Sequence, residues 1–77
     1  MKPKPELPKW NRISDLLAEK ERSQRFLARK LGISANTVNS YCAQRLQPTL
    51  DRLFQIAEIL GVSVVDLINV DYKPEKE

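Results

Sequence analysis

Apolar residues recur at helical spacing in five separate stretches of the chain, each bounded by capping or breaking residues. Trp10, Ile13, Leu16 and Leu17 form the first set, and Asn11 is a suitable cap for a helix running to Lys20 or Glu21. Leu27, Ala28 and Leu31 form the second, in a helix capped by Ser23 and ending near Lys30. Val38 and Tyr41 mark the inner face of a third, spanning about 34–44. Pro48 disfavours helix before it and Thr49 caps well, so a fourth helix follows with Leu50, Leu53, Ile56, Ala57 and Leu60 on one face. Gly61 ends it, and Ser63 caps a short fifth helix that turns Val64, Leu67 and Ile68 inward. Val62, Val64 and Val65 alone would fit a strand, but the flanking caps favour a helical turn. The pattern predicts an all-α fold of five helices, with no strand and no repeat.

The junction of the second and third helices is the most specific feature. Two short helices crossing steeply need a small side chain at closest approach, and Ala28 supplies it. The turn needs a residue that tolerates positive φ, which is Gly32, and Ser34 then caps the next helix. Such a helix-turn-helix holds its second helix proud of the surface, at a width that fits the DNA major groove.

With Val38, Tyr41 and Cys42 facing inward at 100° per residue, the outer face of the third helix centres on Asn36, Ser40 and Ala43, flanked by Thr37 and Asn39. The first turn of a recognition helix penetrates deepest. The expected base-reading residues are therefore Ala35, Asn36 and Ser40, with Asn39 at the edge of the footprint. Asn36 leads, because a carboxamide bonds adenine N6 and N7 together, whereas Ala35 offers only a methyl. Phosphate contacts are expected from Ser23 and Gln24 at the start of the second helix, from Ser34 and Thr37, and from Arg45 just after the third. Small polar residues on a helix face are also what simple solvation produces, so placement carries this argument.

Charge changes the picture modestly. The net charge of +3 conceals ten Lys/Arg against four Asp/Glu in residues 1–50, and three against six in residues 51–77. The positive half holds the helix-turn-helix, as phosphate binding requires. Histidine is absent and Cys42 is the only cysteine, which argues against an N/S metal site, an internal disulfide and His-based acid–base catalysis. No cofactor, metal or catalytic activity is expected. No run approaches a membrane span, and the Lys- and Pro-rich Met1–Lys9 lacks the apolar core of a signal peptide, so a cytoplasmic location is expected. Residues 1–9 are read as a flexible arm, 10–69 as the domain and 70–77 as a polar tail that frays.

In order and spacing, residues 11–68 resemble the lambda-repressor-like, Cro-type helix-turn-helix domain of the XRE family. The matching stretches are SQRFLARKLGIS, TVNSY and QPTLDRLFQIAEILGVSVVDLI. The resemblance implies a compact five-helix domain that binds DNA sequence-specifically, usually as a dimer on a palindromic operator, in bacterial and phage regulators. It also places Gln24 on a phosphate. The chain departs from the family where members commonly have Trp/Leu-Glu-Asn-Gly and this one has Tyr41-Cys42-Ala43-Gln44. An Arg that pairs with that Glu is replaced by Leu17, so Leu17 and Cys42 are expected to meet as an apolar pair. The missing glycine at Gln44 leaves open where the third helix ends and how the 45–47 loop runs. Phe26, in a usually polar position, either covers the first helix or faces another protein.

The leading expectation is a small transcriptional regulator, a repressor, binding duplex DNA as a homodimer through the C-terminal helices, where Val62, Val65 and Ile68 leave apolar surface. One alternative is an antitoxin or restriction–modification controller acting with a protein partner. Another is a protein-interaction module of the same fold without DNA binding, favoured by the absence of long basic side chains at positions 35, 36, 39 and 40.

Overall fold

The computed structural model describes residues 8–72; residues 1–7 of the expected arm over 1–9 and residues 73–77 of the expected tail over 70–77 lie outside the described residues. Four α-helices follow one another: α1 (Ile13–Glu19), α2 (Gln24–Leu31), α3 (Ala35–Cys42) and α4 (Leu50–Leu60). The expected fifth helix is a single 3-10 turn over Val64–Leu67, so the five-helix count is corrected to four helices and this turn. Its start is well formed, and it is the extended backbone at Ile68 that cuts it short. Ser63 and Asp66 form a reciprocal capping box, and by Ile68 the backbone is already extended at φ −104°, ψ 134°.

That extension reverses a sequence expectation. Ile68 does not point inward but is 38% exposed, and it forms an isolated antiparallel bridge with Asn11. The Arg12 amide donates to Leu67 O at 2.7 Å, and the Asn69 amide donates to Trp10 O at 2.9 Å. Trp10 accordingly precedes α1 instead of belonging to it, and its half-exposed ring meets Tyr72 edge-on at 6.0 Å. The N-cap of α1 is Arg12 and not Asn11 as expected, but Asn11 Oδ1, one residue earlier, accepts from the Ile13 amide at 3.0 Å.

The caps of the other helices agree with the sequence. Ser23, Ser34 and Thr49 accept from the amides of Phe26, Thr37 and Arg52 at 3.0, 3.1 and 3.4 Å. All four helices end alike, with a left-handed residue followed by an amide that reaches back five positions. Glycine fills that place after α2 (Gly32, φ 73°) and α4 (Gly61, φ 70°). After α1 and α3 it is filled by Glu21 (φ 56°) and Gln44 (φ 66°). The closing bonds are Arg22 N to Leu17 O, Ile33 N to Ala28 O, Arg45 N to Ser40 O and Val62 N to Ala57 O, at 2.8 to 3.0 Å. The third helix therefore stops at Cys42, short of the expected residue 44.

The core is one cluster drawn from every element. Ile13, Leu16 and Leu17 of α1 meet Leu27 and Ala28 of α2, Val38 and Tyr41 of α3, Ile56, Ala57 and Leu60 of α4, and Leu67. Cys42 is half-buried against the same cluster that contains Leu17. Phe26, half-buried, also packs against it. Its outer side is roofed by cations, with the Arg22 guanidinium 4.7 Å from the ring centroid. Leu50, expected on the inner face of α4, is instead 67% exposed, and the apolar face of that helix meets the core from Leu53 onward.

Candidate nucleic-acid interface

Helices α2 and α3 pack on each other more closely than any other pair, and their sequences explain why. The apolar Leu27 and Ala28 of one face Val38 of the other, all of them buried, and Gly32 folds the chain between them. This leaves the outer face of α3 bare. Ala35 and Asn36 are exposed on its first turn, and Asn36 makes no side-chain hydrogen bond among the described residues. Ser40, one turn on, is half-buried, and its carbonyl accepts the Arg45 amide at 3.0 Å.

The expected phosphate ligands are partly engaged in local structure. Ser23 Oγ accepts from the Phe26 amide, which leaves its hydroxyl proton free to donate. The hydroxyls of Ser34 and Thr37 lie 2.9 Å apart and bond to each other. One of their two protons stays available to a ligand.

Three residues distant in sequence are brought into contact. Asn39 Nδ2 donates to Gln24 Oε1 at 3.1 Å, and Arg45 Nη2 donates to Asn39 Oδ1 at 3.0 Å. The start of α2, the outer edge of α3 and the loop beyond it are thereby joined across the face that the sequence marked as DNA-facing. Ala35, Asn36 and Ser23 stay outside this network.

The electrostatics match. No acidic residue occurs between Glu21 and Asp51, whereas Arg22, Arg25, Arg29, Lys30 and Arg45 all lie in that interval and are exposed. The thiol of Cys42 is pushed above its ordinary pKa by burial, so it is a poor nucleophile at neutral pH. Among the described residues no group of His, Cys, Asp or Glu is arranged to hold a metal ion, and no helix is long and apolar enough to cross a membrane.

Sequence reasoning missed the residues that set the 45–47 loop. Gln44 and Gln47 close over Asn11, which is buried although polar. Asn11 Nδ2 donates to Tyr41 O at 3.0 Å and to Gln47 Oε1 at 2.8 Å, and Gln47 Nε2 donates to Gln44 Oε1 at 3.2 Å. The one sequence signal was negative: a long amide side chain stood where a glycine was expected.

Comparison with known proteins agrees with this geometry. A family described as helix-turn-helix matches residues 13–67. The chain is similar to the crystal structure of a candidate DNA-binding protein from Bacteroides fragilis, with 47% identity and a TM-score of 0.77, over 78% of this chain and 97% of that one. No curated protein matches the sequence.

Proposed function

The chain belongs to the XRE-type helix-turn-helix family, and from that premise we propose that it is a sequence-specific duplex-DNA-binding transcriptional regulator. It acts in the cytoplasm as a repressor and a homodimer. The observation that carries this reading is the exposed, acid-free outer face of α3 set beside the donor-rich start of α2. Ala35, Asn36 and Ser40 read base edges in the major groove, with Asn36 bonding adenine. Ser23, Gln24, Ser34, Thr37 and Arg45 hold phosphates. Asn39 stands at the edge of the same face, with its amide engaged by Gln24 and Arg45.

The homodimer reading draws on apolar surface at the C-terminal end. Val65 and Val70 are 58% and 71% exposed beside Ile68, an arrangement a second copy would cover. Val62, by contrast, packs on the monomer core. Two recognition helices would then lie about 34 Å apart, one turn of DNA.

Selection of bound duplexes from a random pool at about 150 mM salt tests the reading. A two-fold symmetric site is expected, and Asn36→Ala relaxes one position in each half-site. No enrichment, with only weak salt-sensitive binding, refutes it. A second reading, a regulator controlled by a protein partner, is favoured by Leu50 and Phe54, exposed one turn apart on α4 and unused by the core. An unsymmetric site would support it.

A further inference from the structure

The contact between Gln24, Asn39 and Arg45 has a polarity that chemistry fixes. A guanidinium carries donors only, so Arg45 Nη2, 3.0 Å from Asn39, obliges Asn39 to present its oxygen there. Asn39 Nδ2 must then face Gln24, and it donates to Gln24 Oε1 at 3.1 Å. With its oxygen occupied, Gln24 turns its Nε2 group outward, and that group makes no hydrogen bond among the described residues. The order of donors and acceptors runs one way from Arg45 to the tip of Gln24.

Resting on the DNA-binding reading above, we propose that Asn39 is a positioning residue and not a base reader. It locks the Gln24 carboxamide with its N–H groups toward a phosphate and holds the Arg45 side chain on the same face. The match to phosphate is chemical. Phosphate oxygens only accept, and this edge offers the outward Gln24 amide, the remaining Arg45 N–H groups and the unpaired amides of the first turn of α2. Reading adenine would require Asn39 to turn both its oxygen and its nitrogen into the groove. That would break both bonds and release Gln24 to rotate its oxygen toward the phosphate. Arg45 is itself placed by the left-handed Gln44 and by its own amide bond to Ser40 O at 3.0 Å. The relay is therefore anchored at both ends, and base recognition on α3 contracts to Ala35, Asn36 and Ser40.

The test uses the full chain with Gln24→Ala, Asn39→Ala and the double variant, in duplex selection and in titration of the selected site. The relay expects Asn39→Ala to weaken every sequence by about three- to tenfold while the order of base preferences stays the same. It also expects Gln24→Ala to add little once Asn39 is gone. Asn39 is exposed in mid-helix and alanine is the strongest helix former, so the variant keeps its fold. Relaxed preference at one base position, with the Gln24→Ala effect undiminished in the double variant, overturns the relay alone. A wild-type protein that enriches no duplex overturns the proposed function, and the relay with it.

Discussion

Gln44 Nε2 donates to both oxygens of Asn11, 3.0 Å from the backbone carbonyl and 3.3 Å from the side-chain oxygen, across a sequence separation of 33 residues. In return Gln44 Oε1 accepts the Trp10 amide at 3.1 Å. The segment entering α1 is thus fastened to the segment leaving α3. Asn11 uses both hydrogens and both acceptor sites of its side chain, which is why a polar group is tolerated in the interior.

Replacing Asn11 with alanine removes those partners and strands the Ile13 amide and the inward side-chain oxygen of Gln47. It also takes one acceptor from the Gln44 side-chain amide and leaves the Tyr41 carbonyl with the Gln44 backbone amide alone. We expect a loss of about 2–4 kcal/mol in urea unfolding, since orphaned buried polar groups cost about 1–3 kcal/mol each. A loss near zero would mean that water replaces the side chain without penalty.

Gln44 separates two effects that usually travel together. Its left-handed backbone is strained for any residue with a Cβ, and its side chain supplies the bridge that offsets the strain. Gln44→Ala loses the bridge and keeps the strain, whereas Gln44→Gly loses both. The glycine variant should be the more stable of the two by about 1 kcal/mol, although both fall below the wild type.

Glu21 offers the opposite experiment. It adopts φ 56°, is exposed, and makes no side-chain hydrogen bond among the described residues. Glu21→Gly should therefore raise stability by about 0.5–1 kcal/mol. A decrease would show that backbone entropy outweighs the relieved strain at this helix end.

Asp15 should register acid. Its hydrogen bond from Lys9 at 2.8 Å, aided by Arg12 at 3.5 Å, holds its carboxyl below the ordinary value of 3.8 against the opposing effect of partial burial. A depressed folded-state pKa contributes stability above the unfolded value, and that contribution is lost as pH falls through the folded one. In NMR titration Asp15 should protonate below 3.8, and Lys9→Met should bring the midpoint back up. Because both partners are well exposed, the stability difference at neutral pH should be small and should shrink with salt.

Gly32 and Gly61 were legible in the sequence because glycine announces a left-handed helix end. Glu21 and Gln44 do the same work without that signal: nothing local distinguishes Glu21 from a surface residue, and Gln44 showed only as a glycine missing from its expected place. The three-dimensional reason at Gln44 is Asn11, brought beside it only by the closed fold. The candidate interface divides similarly. Gln24, Asn39 and Arg45 were each identified from their helix positions, but the bonds among them depend on how α2 crosses α3 and where the chain goes after Cys42. The shortening of the fifth helix was hidden for a related reason. Val64, Leu67 and Ile68 keep helical spacing, and only the pairing of Ile68 with Asn11 ends the turn early.

That pairing has a consequence for how the domain opens. In small helical domains the outermost segments usually detach independently and exchange their amide hydrogens fast. Here Trp10–Arg12 and Leu67–Asn69 are each other's hydrogen-bond partners, so neither can peel away while the other stays in place. The amides of Arg12 and Asn69 should report one common opening free energy in hydrogen exchange, and loosening at one extremity becomes loosening at both.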